Sequence, residues 1–142
     1  SGPQLRPLVS LTFNRDAEHV NAESGGAVDF RVADKDQQFS VAPGSIPSDT
    51  TITVKVVGLE ANVLNLLNAR IVILDFSPDG LHFSPNATLR FDASVLGKSK
   101  QKINLFRSNP RGNKWESQGE YKVDADGKVN IPIHHFSKYG IS

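Results

Sequence analysis

His135 and Ser137 are the two residues whose types and spacing point most directly to chemistry. An imidazole close to a hydroxyl is a common pairing of a general base with a nucleophile. In an extended strand two residues advance about 6.6 Å, which exceeds hydrogen-bond reach, so the pair would need a bent and strained backbone at Phe136. By strand alternation, His135 lies on the same face as Ile131 and Ile133. This favours a histidine that packs toward the core and has a structural role, not a catalytic one.

Other polar motifs offer less for a site. Asp124-Ala125-Asp126-Gly127 begins like a calcium loop but lacks the later acidic ligand, so we predict a hairpin turn there. Asp34-Lys35-Asp36 is also predicted to be a turn. Asn86-Ala87-Thr88 is a glycosylation sequon, which matters only on a eukaryotic secretory route.

The histidines do not form a metal-binding motif in the sequence. They occupy positions 19, 82, 134 and 135, and no spacing among them places several on one face, so a zinc site would require long-range convergence. His134 is expected to face outward, on the same side of its strand as Pro132. We predict no metal and no cofactor.

Four aromatic residues would provide a binding platform if they shared an exposed face, because flat rings present large apolar area at low entropic cost. They are Phe106, Trp115, Tyr121 and Tyr139. A carbohydrate-binding module is therefore one alternative, and packing of these rings in the core or at a sheet edge is the other.

Composition narrows the class of protein. A chain of 142 residues fits one domain, residues 1–142, and a net charge of +1 argues against nucleic acid or an anionic membrane as a partner. No apolar run approaches the roughly 20 residues of a spanning helix, so no membrane insertion is predicted. With no cysteine, the chain has neither disulfides nor thiolate chemistry. The absence of methionine and the opening Ser1-Gly2-Pro3 indicate a piece cut from a larger protein.

Alternating apolar and polar residues predict half-buried strands. The clearest is 51–57, in which Ile52, Val54 and Val56 share one face, and the pattern recurs at 87–92, 102–106 and 129–133. Residues 71–74 are apolar on both faces, as in a central strand. Pro132 cannot donate to a ladder, so we expect the 129–133 strand to lie at a sheet edge or to turn that position away from its neighbour.

Turn signals separate these runs, and further short apolar stretches lie at 8–13, 27–32, 39–41, around Trp115 and at 121–123. The turns are Pro43-Gly44, Pro78-Asp79-Gly80, Asn109-Pro110-Arg111-Gly112 and Asp126-Gly127. The fold class predicted is all-β: an antiparallel β-sandwich of about ten short strands with at most one short helix.

Residues 59–70 are the exception to the strand pattern. Leu59, Val63, Leu66 and Leu67 have helical spacing, whereas three asparagines weaken helix propensity. A short helix and an ordered crossover loop both remain open.

From about Gly25 onward, the chain resembles the ZU-five domain, a β-sandwich found in ankyrins, netrin receptors, a death-domain scaffold and many bacterial surface proteins. The matching stretches are Gly25-Gly26, the block from Phe39 to Val54 containing Pro43-Gly44 and Thr51-Ile52-Thr53-Val54, the block from Phe76 to Pro85 containing Pro78-Asp79-Gly80-Leu81, and His135-Phe136-Ser137-Lys138-Tyr139. Residues before Gly25 lie outside the resemblance, and we expect them to add an edge strand.

The resemblance implies a function as well as a fold. Most members of the family are spacers or docking modules, so it implies a non-catalytic structural or protein-interaction module of a larger protein. The partners expected are other domains of the same polypeptide or another protein, at an extracellular, cell-surface or periplasmic location. Eukaryotic members are cytoplasmic, which leaves that location open, and the oligomeric state is also open.

Some members break their own backbone at the triple His-Phe-Ser. Transferred here, Ser137 would attack the carbonyl of Phe136 with His135 as base, and hydrolysis of the resulting ester would cleave the Phe136–Ser137 bond. Self-cleavage is thus the catalytic alternative to a module that performs no chemistry.

Overall fold

The structure, a computed structural model, describes residues 12–59, 71–97, 99–109 and 114–142, and ten strands within them form two antiparallel sheets. The strands are β1 (Thr12–Val20), β2 (Gly26–Val32), β3 (Lys35–Val41), β4 (Thr50–Leu59), β5 (Val72–Ser77), β6 (His82–Asp92), β7 (Lys102–Asn109), β8 (Lys114–Lys122), β9 (Lys128–His135) and β10 (Lys138–Ile141). One 3-10 helix, Ala93–Leu96, is the only helix in the described residues. The all-β, two-sheet fold predicted from the sequence is confirmed.

The six-stranded sheet has the order β1-β4-β5-β10-β7-β8, and the four-stranded sheet has the order β2-β3-β6-β9. Alternate residues of both sheets face each other and form the core, because successive side chains of a strand point to opposite faces. Ile52, Leu74 and Leu89 are among those fully buried there. The inward faces predicted for 51–57, 87–92, 102–106 and 129–133 are all buried.

Position within a sheet follows from side-chain type. β5 begins with the buried residues 72–74, which are apolar on both faces, and it lies inside the six-stranded sheet, as its sequence predicts. β9 carries Pro132 and lies at the edge of the four-stranded sheet, also as predicted. β8 is an outer strand with mostly exposed residues.

Glycines with positive φ explain why two of the turns lie where they do. Gly25 has φ +74°, and a Cβ there would collide with the backbone carbonyl oxygen of Val41 and the nitrogen of Pro43. Gly80 has φ +80° and follows Pro78-Asp79, where the Leu81 N–H donates to the Pro78 carbonyl at 3.3 Å. Both positions select glycine because an L side chain is strained in the left-handed region.

Several boundaries differ from the sequence prediction. Trp115 and Tyr121 lie on one strand, β8, and not on two, because a strand exposed on both sides shows no alternation. The first strand, Thr12–Val20, extends beyond the predicted 8–13; residues 8–11 lie outside the described part. β10 was not predicted as a strand.

Two turns also differ. The turn predicted at Asp34-Lys35-Asp36 is centred on Ala33 and Asp34, which have φ of +49° and +65°, and Lys35 already begins β3. The turn at Asp124 to Gly127 is present but connects β8 to β9 in the other sheet, so it is not a hairpin. Residues 60–70 and 110–113 lie outside the described residues, and they hold all of the helix-or-loop segment except Leu59, the last residue of β4, and most of one predicted turn.

A second apolar contact lies on the outer face of the six-stranded sheet. Ile71 and Ile73 are buried but do not belong to the inter-sheet core. A Cβ added to Gly140 would approach Ile71 Cδ1 to 2.9 Å and Trp115 Cζ3 to 3.4 Å, so glycine lets these two side chains lie close over β10. Within the described ranges, no helix is long and apolar enough to span a bilayer.

Candidate functional site

The His-Phe-Ser triple lies where the chain passes from one sheet to the other. β9 ends at His135 in the four-stranded sheet, and β10 begins at Lys138 in the six-stranded sheet. Phe136 and Ser137 alone make the crossing. We call these two residues the crossing segment.

Phe136 is the centre of an aromatic cluster in the core. Its ring centroid lies 4.9 Å from Phe83, 5.1 Å from Phe76 and 5.2 Å from Phe39. The side chain is 1% exposed, and its N–H donates to the Leu81 carbonyl at 2.7 Å. The middle residue of the triple therefore has a clear structural role.

His135 contacts a cation from the opposite sheet. Arg107 Nη1, on β7, lies 2.8 Å from His135 Nε2. Because a guanidinium only donates, Nε2 must accept, and the ring proton belongs on Nδ1. His135 Nδ1 is buried and has no hydrogen-bond partner among the described residues. Arg107 also pairs with Glu116 at 3.4 Å.

The surroundings of His135 hold its pKa below the ordinary histidine value. Burial is the largest cause, followed by the positive charge of Arg107 and then by His82 and His134, while Asp79 opposes the shift. His135 is thus kept in the neutral, base form near neutral pH.

Ser137 is half-buried, and its carbonyl oxygen accepts from the Phe76 N–H at 3.5 Å. No hydrogen bond among the described residues joins the Ser137 hydroxyl to His135. A His135–Ser137 pair requires the backbone to leave the extended strand between the two residues. It does so, because β9 ends at His135. The structure therefore places the pair at a break in the strand without closing the contact.

Three of the four histidines converge at this end of the sandwich, which sequence spacing did not reveal. His82 and His135 are register partners on β6 and β9, with ring centroids 5.5 Å apart. His134 lies 5.8 Å from His82 and 6.0 Å from His135, and its Nδ1 is 3.1 Å from Asn86 Oδ1. His134 faces outward, as predicted. Across the described ranges, no set of three or more potential ligands has a geometry that would hold a metal ion.

The four aromatic residues do not share a face. Tyr139 is buried in the core, and its hydroxyl donates to the His135 carbonyl at 2.6 Å. Burial raises the pKa of Tyr139 to about 12. Tyr121 also packs toward the core, whereas Trp115 lies beside Gly140 on the outer face. A four-ring carbohydrate platform is therefore not formed.

A polar surface on the four-stranded sheet was missed by the sequence reading. Its centre is a row across all four strands, which we call the polar row: Asp29, Gln38, Arg90 and Asn130. Gln38 Nε2 donates to Asp29 Oδ1 at 3.0 Å, and Arg90 Nη1 donates to Asn130 Oδ1 at 2.9 Å. The polar positions of each strand were visible in the sequence, but their alignment depends on strand pairing.

Ion pairs and a shallow cavity surround the polar row. Arg31 pairs with Asp36 at 3.0 Å, and Lys128 with Asp92 at 3.5 Å. A cavity of about 620 Å³ is lined by Asp29, Gln38, Arg90 and neighbouring residues. This sheet face thus presents donors, acceptors and charges of both signs on regular backbone.

The Asp124 turn is closed by its own hydrogen bonds. Asp124 Oδ1 accepts from the N–H groups of Asp126 and Lys128 at 2.9 and 3.0 Å. These bonds, that from Lys128 most of all, hold the pKa of Asp124 below its usual value, and Arg90 adds to the effect.

The chain matches no model of a known protein family, and no curated protein matches it. The ZU-five resemblance therefore rests on the sequence blocks alone.

Proposed function

We propose that this chain is a ZU-five-like β-sandwich that serves as a non-catalytic structural or protein-interaction module of a larger, cell-surface or secreted protein. The observation that carries the proposal is the polar row with its flanking ion pairs. Asp29, Gln38, Arg90 and Asn130 are set on four hydrogen-bonded strands, so little side-chain or backbone entropy remains to be lost on docking.

The partner that suits this surface is another protein surface of mixed charge, either a neighbouring domain of the same polypeptide or a separate protein. Charges of both signs favour specificity over general attraction to polyanions. The Arg31–Asp36 pair is exposed and the Arg90–Asp124 pair is partly exposed, so these two pairs contribute little to the stability of the module itself. They remain available for re-pairing across an interface.

Carboxylate footprinting tests the docking surface. The chain is labelled with a carbodiimide and an amine, once alone and once within its parent polypeptide. We expect reduced labelling of Asp29 and Asp36 in the parent, with Glu120 on β8 as the control. Equal labelling of all three in both samples would contradict docking of a neighbouring domain through this face. A parent polypeptide without an export signal would contradict the proposed location.

Self-cleavage at Phe136–Ser137 is the second candidate, and one observation favours it: the bond follows a histidine that is held in its neutral form at a break between strands. In that reaction the Ser137 hydroxyl attacks the Phe136 carbonyl carbon, the peptide nitrogen leaves as an amine, and water hydrolyses the ester. His135 would take the hydroxyl proton, although Arg107 already occupies its Nε2.

Mass spectrometry after long incubation at neutral pH separates the two candidates. The non-catalytic proposal predicts the mass of the intact chain under denaturing conditions. Self-cleavage predicts a chain that lacks residues 137–142, and Ser137→Ala would abolish this loss. Denaturing conditions are essential, because β10 is hydrogen-bonded on both sides and would hold a cleaved peptide in place.

A further inference from the structure

We propose that β10 is an exchangeable strand and that two copies of this chain associate by inserting it into each other's six-stranded sheet. This interaction is separate from docking through the polar row. It uses the other sheet, and it requires only a second copy of the same chain.

The position of β10 is the first observation. It lies between β5 and β7, with four register pairs to β5 and three to β7. All its pairs join residues far apart in sequence. Only the crossing segment connects it to β9, so β10 can leave as a unit once those two residues rearrange. Any polypeptide that follows Ser142 would move with it.

The slot that β10 fills is selective for its sequence. Tyr139 and Ile141 enter the core beside Leu74 and Val72, their partners on β5. Between them Gly140 lies under Ile71 and Trp115, where a Cβ would be crowded. A segment must therefore carry a core-filling residue, a glycine and a second core-filling residue in succession, and the β10 of another copy meets this requirement.

The energetics favour a second copy as the occupant. Exchange recreates the same hydrogen bonds and core contacts between two chains, so the two states differ mainly in the crossing segment and in association entropy. Opening β10 exposes two sheet edges and an apolar slot, which makes exchange slow. The crossing segment is held by the buried Phe136 ring and by the Phe136 N–H bond to the Leu81 carbonyl. Two side-chain contacts beside it add to this: the Tyr139 hydroxyl donates to the His135 carbonyl, and Arg107 donates to the His135 ring.

Single-cysteine cross-linking tests the exchange in the full chain, which contains no natural cysteine. Asp75 on β5 is the register partner of Lys138 on β10 and of Lys55 on β4. One copy carrying only Asp75→Cys is mixed at high concentration with a copy carrying only Lys138→Cys, incubated under reducing conditions and then oxidised. In an exchanged dimer the two thiols face each other at disulfide distance.

About half of the exchanged dimers in an equimolar mixture contain one copy of each kind, and these should become covalent heterodimers. The control mixture combines Asp75→Cys with Lys55→Cys; β4 does not exchange, so this mixture should give only the background from random collisions. Tyr139→Phe, which removes one contact at the crossing and keeps the ring, should raise the rate of heterodimer formation.

Equal yields in the two mixtures, or no covalent dimer in either, would overturn the proposal. Light scattering on the unmodified chain provides an independent measurement. A dimer that grows with concentration and incubation time supports exchange, and a monomer at every concentration overturns it. None of these outcomes depends on whether the polar row binds a partner.

Discussion

Phe136 links three phenylalanine rings from three other strands, and it is also the residue on which the chain changes sheets. Packing alone explains why an aromatic residue stands between His135 and Ser137. His135 and Ser137 have no comparable structural demand. His135 contacts Arg107 at the open end of the sandwich, and the Ser137 side chain is half-buried.

Phe136→Ala should lower the free energy of unfolding by about 3–5 kcal/mol, because it removes a fully buried aromatic side chain and leaves a cavity. Urea denaturation followed by Trp115 fluorescence would measure the change. Ser137→Ala is the matched control in the same segment, with an expected effect within about 1 kcal/mol. Similar losses for the two variants would contradict a packing role specific to Phe136.

His135 should make the fold sensitive to mild acid. Its pKa is lowered in the folded state, so the unfolded chain takes up the proton first as pH falls. The stability that His135 contributes is therefore complete above its unfolded pKa of about 6.5 and declines as pH falls from there toward the folded value.

Denaturation curves measured from about pH 7.5 down to pH 5 should show this decline in the unmodified chain, and His135→Gln should flatten it. The control is His19→Gln, since His19 is exposed on β1 and far from the cluster in the register of its sheet. A pH profile that is unchanged in His135→Gln, or flattened equally in both variants, would show that another group is responsible.

At the scale of single elements, the turn at Gly25 links β1 to β2 and fixes the change of sheet. Its N–H donates to the Asn21 carbonyl at 2.8 Å, and the side-chain oxygen of Asn21 accepts from the N–H groups of Glu23 and Ser24. Gly44 has a similar φ of +75°, but no atom lies near the position of its missing Cβ. Substituting Gly44 would therefore introduce backbone strain alone, whereas substituting Gly25 would introduce the same strain and a steric collision as well.

Gly44→Ala should cost about 1–2 kcal/mol, the strain of a left-handed alanine. Gly25→Ala should cost clearly more, because its Cβ would also meet the Val41 carbonyl and the Pro43 nitrogen. Thermal and chemical denaturation of both variants would give the difference. Equal losses would mean that the backbone around Val41 shifts without cost.

Strand alternation made most elements predictable, and its loss explains the errors. β4, β9 and residues 87–92 of β6 alternate apolar and polar residues, and their buried faces follow from the sequence. Apart from Trp115 and Tyr121, the residues of β8 are exposed, so only its two aromatic residues indicated a strand. β10 is short and contains Gly140, which disfavours a strand in isolation. Ala33 at positive φ carries no turn signal of its own.

The candidate site could be predicted only in part, because strand pairing is a long-range property. His135-Phe136-Ser137 was visible as a motif, and the outward direction of His134 followed from parity. The convergence of His82 and Arg107 on His135 required knowing that β6 pairs with β9 and that β7 faces them. The polar row was hidden for the same reason.

At the scale of the whole molecule, the last strand completes the middle of the larger sheet. β10 joins β5, which follows β4 from the first half of the chain, to β7 and β8 from the second half. The six-stranded sheet is therefore continuous only when β10 is in place. This arrangement makes the far C-terminal residues of the described chain essential to the core and not a peripheral addition.

Truncation after Phe136 should accordingly abolish cooperative unfolding, since it leaves two open edges and an apolar slot in the sheet. Circular dichroism during a thermal scan would show the loss of the transition. Deleting only Ser142, whose backbone pairs with Asn104 at the end of the ladder, is the control and should leave the transition intact. A cooperative transition in the longer truncation would contradict this role of β10.

The register of the six-stranded sheet also places Thr12 and Ile141 at the same end. Thr12 pairs with Val57, Val57 with Ile73, and Ile73 with Gly140, the neighbour of Ile141. Tension applied between residues 12 and 141 would thus pull across the strands and separate their hydrogen bonds one after another. Handles at His19 and Ser142, at opposite ends, would load many bonds together. In a single-molecule stretching experiment the first geometry should yield at the lower force, because its hydrogen bonds break in sequence and not together.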